Sequence, residues 1–381
     1  MIVDAQGVNI LLTTLLAIFY WRRKGFCLKE KEKASRDKNQ LLEKRDPFFD
    51  FIRGIAILAV IGIHVSFFFN FVESLPLLIK GLNEFFNRFL RFAIGFFLVS
   101  SGALLRPPSS GSGWGKFYST KIKRIFPAYL VATLVGLVLY QGIFPTDFSG
   151  FKSLIQALIL GSGAPPFYFI PLLFQFYLIY PFLLFFSRSP RGKNFLVGGS
   201  LVLSLASHFF FKNWGPFLPF FSFTIFFVAG IIGAPFLRQS TVTEKRSCWR
   251  KIKNPLLLLI FLYWLLALNN LSGEIFYNDQ YFYSLALFLF FFLIYPRLKM
   301  RFPRGVKILT QWGRQSLGLF LWHFIFLNLF FQLFGGEQFF LPYWLGAPLL
   351  FILTLITNLL FLYFLRLLQR GKDLFISWAF P

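Results

Sequence analysis

Apolar runs of about 17–25 residues recur along the whole chain, and short polar, mostly basic stretches separate them. A helix of this length crosses the hydrocarbon core of a bilayer. The apolar segment 151–163 is shorter, so we expect it to be re-entrant or to lie at the membrane interface. The pattern predicts eleven spanning helices, at about 2–21, 48–71, 84–105, 125–144, 166–187, 194–212, 216–237, 255–271, 281–296, 314–334 and 340–366.

Composition supports an integral membrane protein. Of the 381 residues, 56% are hydrophobic and 14% are charged, and the mean hydropathy is +0.64. Soluble domains carry about 25% charged residues. The predicted fold class is all-α: a polytopic membrane helix bundle with about ten core transmembrane helices and one extra N-terminal helix. Residues 1–45 are expected to form that extra helix and a basic cytoplasmic linker, and residues 46–381 the main membrane domain.

The positive charge is distributed as membrane topology requires. A net charge of +24 is also found in nucleic-acid-binding proteins, but here the basic residues lie in clusters between apolar runs, so no nucleic-acid partner is expected. If the helices alternate in direction, 33 of the 39 Lys and Arg residues lie in connections on one side and five on the other. This asymmetry predicts an extracytoplasmic N-terminus and a cytoplasmic C-terminus. The two cysteines, Cys27 and Cys248, suggest neither a disulfide framework nor a metal site.

The predicted helix 48–71 contains ionisable residues within an apolar sequence. Arg53 and His64 are 11 positions apart, which is about three helical turns, so their side chains share a face about 16 Å apart along the axis. Asp50 is close enough to Arg53 for a local ion pair. That pair could be structural, with His64 a packing residue. Because ionisable groups in membrane helices are costly and commonly functional, we expect Arg53 and His64 together to serve function.

Four further motifs carry polar candidates. Lys121 and Arg124 precede a helix expected to begin near Pro127; they are either ordinary cytoplasmic charge or a phosphate site at a helix N-terminus. Gln175 lies in an apolar helix and is expected to find partners inside the bundle, and Tyr177 of the same helix either faces the bundle or belongs to an aromatic belt at the interface. The other candidates are Ser101, in a small-residue segment that equally suits close helix packing, and Ser316 and His323, which share one helical face.

Taken together and in this order, these motifs resemble the acyltransferase-3 family of bacterial membrane acyltransferases. Arg53, ten intervening residues and His64 match its first-helix signature, and Asp50 and Gly54 also fit. The other matching segments are FFLVSSG, KIKRIFPAY, FYFIPLLFQFYLIYP and SLGLFLWH. The sequence departs from the family in having Lys121 where Arg is frequent, Tyr168 where Trp is frequent, and no acidic residue before Gln175. The resemblance covers about residues 46–370 and does not include residues 1–45.

The resemblance implies transfer of an acyl group, usually acetyl, from cytoplasmic acyl-coenzyme A to a hydroxyl of a cell-envelope saccharide or glycolipid. It implies a location in the bacterial inner membrane and no metal. Arg53, Lys121 and Arg124 would hold the coenzyme A phosphates, and His64 would act as general base or take the acyl group itself. Many family members also carry an SGNH-hydrolase-like domain, which is not expected in a chain that stops at Pro381. Second-tier candidates for positioning or oxyanion contacts are Ser101, Gln175, Tyr177 and His323, and Asp50 and Ser316 are further candidates with no assigned role.

Two functions of other classes compete with this interpretation. A transporter or flippase of a lipid-linked sugar would also place Arg53 and His64 along a substrate path. Such proteins commonly contain an internal repeat with discontinuous helices, and the sequence shows no repeat. A non-catalytic membrane partner would use the polar groups for packing alone. The residues leave open the acceptor sugar, the acyl chain length and the oligomeric state.

Overall fold

A computed structural model describes residues 46–108, 113–143, 148–210, 218–239, 252–258, 260–261 and 280–371. These residues form helices and connecting turns, and no strand occurs among them. The predicted helix 2–21, the basic linker that follows it and most of the predicted helix 255–271 lie outside these residues. The α-helices are α1 (Pro47–Phe69), α2 (Leu77–Leu90), α3 (Phe92–Leu104), α4 (Trp114–Gln141), α5 (Phe148–Leu160), α6 (Phe169–Phe186), α7 (Pro190–Phe210), α8 (Leu218–Gln239), α9 (Gln280–Arg301), α10 (Pro303–Arg314), α11 (Ser316–Leu333) and α12 (Tyr343–Gly371), with 3₁₀ turns at Pro165–Tyr168 and Gly336–Gln338.

Seven segments within the described residues are long and apolar enough to cross a membrane. Each overlaps a predicted span, so the chain is a multi-pass membrane protein, and the regular structure of its described residues is all helical. The segments are Pro47–Phe69, Trp114–Leu139, Pro165–Phe186, Phe220–Arg238, Tyr281–Arg301, Ser316–Leu333 and Tyr343–Leu367.

Helix α1 lies at the centre of the bundle and packs against α2, α3, α10, α11 and α12. It begins sharply because the Asp46 carboxylate accepts a hydrogen bond from the Phe48 N–H (2.9 Å) and Pro47 occupies the first turn, where no intrahelical N–H bond is lost. Its apolar residues are largely buried inside the protein. A helix enclosed in this way can carry Arg53 and His64 without exposing them to lipid.

The predicted continuous helix 84–105 is wrong. The chain turns at Arg91 and forms two helices, α2 and α3, and α2 begins earlier, at Leu77. The physical reason is that the two halves differ in the distribution of apolar residues. Helix α2 has apolar residues along one face and carries the charged residues Lys80, Glu84 and Arg88, whereas α3 is apolar on all sides. Each half buries a different surface, and the break lets both do so.

Two basic segments that were expected to be loops are also helical. Helix α4 begins at Trp114, not near Pro127, so Lys121 and Arg124 lie inside a helix and not at its N-terminus. The segment 297–314 completes α9 and then forms α10, an amphipathic helix packed on α1. Mixed basic and apolar residues are typical of both loops and interfacial helices. In these two segments the apolar residues recur at helical spacing, so that they form one face of the helix, which packs against the rest of the protein.

The small residues at the end of α3 serve close packing against α8. A Cβ at Gly102 would clash with the Phe227 carbonyl, and a Cβ at Gly230 would clash with that of Val99. The Arg238 guanidinium of α8 donates to the carbonyls of Ala103 and Leu105, which end α3. Packing therefore accounts for the glycine of this motif, and the cationic cap stabilises the helix C-terminus.

Asn83, which is fully buried, joins three helices. Its side-chain amide donates to the Ser66 carbonyl (2.8 Å) and to Asn70 Oδ1 (2.7 Å), both contributed by the end of α1. Its Oδ1 accepts from the Tyr343 hydroxyl of α12 (3.0 Å). Asn83 thus fixes α2 against the same end of α1 that carries His64.

Replacing Asn83 with alanine is expected to destabilise the protein by about 1–3 kcal/mol, because the buried polar partners lose their bonds. Thermal unfolding of the purified protein in detergent measures the loss. Asn194→Ala, at an exposed position of α7, is the matched control and should leave the unfolding midpoint unchanged. Equal midpoints for the two variants would refute the structural role of Asn83.

Candidate functional site

Two histidines from distant parts of the chain meet inside the helix bundle. The ring centroids of His64 on α1 and His323 on α11 are 5.2 Å apart, at an interplanar angle of 43°. Each ring has a buried nitrogen without a hydrogen-bond partner among the described residues: Nδ1 of His64 and Nε2 of His323. Buried polar atoms are nearly always hydrogen-bonded in proteins. The pair therefore has hydrogen-bonding capacity that a bound molecule can use.

The tautomer of His323 follows from its backbone contact. Its Nδ1 lies 2.7 Å from the Phe320 carbonyl oxygen. Because a carbonyl oxygen only accepts, the neutral imidazole carries its proton on Nδ1. Nε2 is then a hydrogen-bond acceptor, and the helix itself determines which nitrogen can receive a proton.

Aromatic side chains surround the two histidines. The His64 ring contacts Phe67 (6.4 Å between centroids) and Phe324 (5.3 Å), both edge-on, and the His323 ring lies 5.8 Å from that of Phe320. His323 is fully buried and His64 half-buried. Apolar walls of this kind exclude water and strengthen the electrostatic interactions between the groups inside.

A basic cluster lies nearer the start of α1. Arg53 and Arg124 both interact electrostatically with Lys121. The Lys121 ammonium lies 5.5 Å from the centre of the Phe117 ring and 5.6 Å from that of Tyr177. Arg53 and Lys121 are half-buried, and Arg124 is exposed. Three cations held together in a partly dry setting repel one another, and an anion would relieve that repulsion.

Tyr177 brings a third helix to the basic cluster. Its hydroxyl interacts electrostatically with Arg53 and Arg124 and is within hydrogen-bonding reach of Ser101. Tyr177 is buried, so it faces the bundle and is not part of an aromatic belt at the interface. Residues from α1, α3, α4 and α6 therefore lie close together in the basic cluster. Four of the sequence motifs contribute to it, which is the arrangement expected if these motifs form one site.

The basic cluster and the histidine pair lie along the same helix. Arg53 and His64 both belong to α1, and the helical rise separates their positions by about 16 Å along the axis. A ligand that reaches both would be extended, with its anionic part at one end and its reacting group at the other.

Asp50 contacts a residue that local spacing did not suggest. Its buried carboxylate pairs with Arg314 of α10 at 3.3 Å. Asp50 is near the start of α1, about 21 Å along the axis from His64. This ion pair connects α1 to α10 at the end of α1 that carries the basic cluster. Arg314 was missed because nothing in its local sequence distinguishes it from the other arginines of the basic connections.

The two remaining predicted residues, Gln175 and Ser316, differ in where they lie relative to the basic cluster and the histidine pair. Gln175 is half-buried on α6, two positions before Tyr177, and its Oε1 is buried with no hydrogen-bond partner among the described residues. Ser316 begins α11, about 10 Å along the axis before His323, and lies closer to Arg314 in the chain. Gln175 thus offers an unused acceptor, whereas Ser316 belongs to the start of its helix.

The described residues contain no group of three or more His, Cys, Asp or Glu side chains that could hold a metal ion. A family model described as "Acyltransferase domain", that of the acyltransferase-3 family, matches residues 46–363. No curated protein and no solved structure matches the chain.

Proposed function

The chain belongs to the acyltransferase-3 family and is a membrane acyltransferase, and we propose that it transfers an acyl group, most simply acetyl, from acyl-coenzyme A to a hydroxyl of a cell-envelope saccharide or glycolipid. The observation that carries the proposal is the arrangement along α1. A cationic cluster lies at one end, and at the other lie two histidines with nitrogens that have no hydrogen-bond partner in the described part of the chain. An extended thioester with phosphates at one end has the matching distribution of charge.

The basic cluster is proposed to bind the phosphates of the donor. Arg53, Lys121 and Arg124 supply charge-assisted hydrogen bonds, and Arg can bind a phosphate with two parallel N–H groups. Tyr177 and Ser101 lie beside these cations and would position the chain that follows the phosphates. The excess of basic residues in the connections predicted to be cytoplasmic supports donor entry from the cytoplasm.

The histidine pair is proposed to carry the chemistry. A neutral imidazole takes the proton of the acceptor hydroxyl as the oxygen attacks the thioester carbon; the C–O bond forms, the C–S bond breaks, and coenzyme A leaves as the thiol after protonation. His64 is assigned this role, with His323 positioning the acceptor through Nε2. Gln175 is a candidate contact to the reacting groups. In the variant mechanism, His64 first takes the acyl group and then passes it to the acceptor.

A direct assay tests the proposed function. The purified protein is incubated in detergent with radiolabelled acetyl-coenzyme A and fractions of envelope saccharide and glycolipid. Appearance of label in an acceptor, or on the protein, supports acyl transfer. If label stays on coenzyme A with every acceptor while the protein moves a lipid-linked sugar across liposomes, the flippase alternative is favoured.

Replacing Lys121 with glutamine is expected to raise the KM for acyl-coenzyme A about 10- to 100-fold, because a charged hydrogen bond contributes about 1.5–3 kcal/mol. Arg53→Gln should act in the same direction. Initial rates with acyl-coenzyme A and with acyl-pantetheine, which lacks the phosphates, are compared. The loss should be large with the first donor and small with the second.

Lys116→Gln is the control for this prediction. Lys116 is exposed on the same helix, two positions after Trp114, so its removal changes the charge equally without touching the cluster. An equal loss for Lys121→Gln with both donors would mean that Lys121 supports the fold and does not recognise phosphate.

A further inference from the structure

Helix α10 exposes a face of basic and apolar side chains. Val306 and Thr310, one turn apart, are buried against the bundle. Arg304, Lys307 and Ile308 are exposed, and their spacing of three and four residues places them together on the opposite side of the helix. These three residues are called the basic face of α10 below.

The neighbouring helices place α10 at a membrane surface. The spanning segment that precedes it ends at Arg301, and the one that follows begins at Ser316. With 12 residues, α10 is about 18 Å long, which is too short to cross a hydrocarbon core of about 30 Å. It therefore lies on the side where these two segments have their adjoining ends, which the charge asymmetry predicts to be cytoplasmic.

The charge and the exposed apolar residues of this segment together suit a bilayer surface. Residues 297–314 contain six Lys and Arg residues and no Asp or Glu. Clusters of about four to eight basic residues directly after a transmembrane helix, or on an amphipathic helix, attract anionic headgroups. Phe302 and Ile308 are 60% and 44% exposed. The boundary between headgroups and acyl chains accommodates such apolar side chains beside basic ones, whereas a small soluble anion would contact only the charges.

The buried side of α10 holds the start of α1. Gly313 lies close to the Asp50 carbonyl, and Gly54 lies close to that of Leu309. The Asp50 carboxylate pairs with Arg314 (3.3 Å). A molecule that binds the native protein and not the unfolded chain stabilises the native state. Lipid bound to the basic face is therefore expected to stabilise the contact between α10 and α1.

We propose that the basic face of α10 binds the headgroups of anionic phospholipids. Arg304 and Lys307 contact the phosphates, and Ile308 is inserted at the start of the acyl chains. The attraction depends on charge and not on the forked shape of a guanidinium, so lysine can replace Arg304. The proposal concerns the membrane surface and does not depend on the reaction that the protein catalyses.

The test uses the full-length protein in nanodiscs of phosphatidylcholine, with and without phosphatidylglycerol. Mass spectrometry measures the ratio of the two lipids that remain bound after the protein is released into detergent, and thermal unfolding in the nanodiscs measures stability. We expect wild type to retain phosphatidylglycerol preferentially and to unfold at a higher temperature when that lipid is present. Each charge removed should lower the preference about fivefold, so Arg304→Gln combined with Lys307→Gln should lose most of the preference and of the thermal shift. Arg304→Lys should keep both.

Arg191→Gln combined with Lys193→Gln is the matched control. These two residues are exposed at the start of α7, on the same predicted side of the membrane, so the net charge changes equally without altering α10. Equal losses in the two double variants would overturn the proposal, because basic surface charge in general would then attract the lipid. An equal thermal shift from inorganic phosphate in phosphatidylcholine nanodiscs would also overturn it and indicate a site for small anions. An unchanged lipid preference in the α10 double variant would mean that the basic face does not bind lipid and would favour a soluble acidic partner.

Discussion

Replacing His64 with alanine is expected to lower the rate of acyl transfer about 10²- to 10⁴-fold, the range for removal of a general acid–base group. The KM for acyl-coenzyme A should stay near the wild-type value, because the basic cluster is about 16 Å away along α1. Rates are measured in a single turnover with radiolabelled donor. His208→Ala is the matched control, since the chain has three histidines and His208 is outside the proposed mechanism.

The same variants distinguish the two roles proposed for His64. If His64 carries the acyl group, wild type incubated with donor alone should retain one label per protein through denaturation, and His64→Ala should retain none. If His64 is a general base, label should leave coenzyme A only when an acceptor is present. Because His64 and His323 are in contact, the double alanine variant should lose little more than either single variant. A His64→Ala protein with more than a tenth of wild-type activity would contradict both roles.

Hydropathy predicted the long apolar helices well. Helix α1 was expected at 48–71 and is Pro47–Phe69, and the span expected at 166–187 is Pro165–Phe186. The reason is that a bilayer demands a continuous apolar run with every backbone group bonded internally, and this leaves a strong local signal. Short amphipathic helices such as α2 and α10 leave a weaker signal, and both were missed or misplaced.

The sequence identified candidate residues for the site, but it did not show which of them contact each other. The spacing of Arg53 and His64 within one helix is local, so it was accessible from the sequence. The contacts of His64 with His323, and of Asp50 with Arg314, join segments more than 250 positions apart, and no local pattern specifies such partners. The bond of Arg91 to Asn87 has the i,i+4 spacing of a helix, whereas the bond of Asn87 to the Ile63 carbonyl joins two helices and has no local signal in the sequence.

Introducing a single methyl group at Gly313 is expected to prevent α10 from docking on α1. A Cβ at Gly313 would overlap the Asp50 carbonyl oxygen, and one at Gly54 would overlap that of Leu309. Both clashes are with backbone atoms, so no side-chain rotation relieves them and the helices must move apart. Overpacking costs about 1–3 kcal/mol where the core can adjust and more where it cannot. Gly313→Ala should therefore lower the unfolding midpoint and the yield of monodisperse protein.

Gly305→Ala is the matched control, because Gly305 is on the same helix and a Cβ there would meet nothing within 4 Å. Alanine favours a helix by about 1 kcal/mol over glycine, so Gly305→Ala should leave stability unchanged or raise it. The pair of variants separates the close approach of two backbones from any general effect of substituting glycine in α10. Separation of the helices would also pull Arg314 from Asp50 and shift the start of α1, on which Arg53 lies. Gly313→Ala protein that folds should then have a raised KM for acyl-coenzyme A, and wild-type stability and KM in that variant would show that α10 does not position α1.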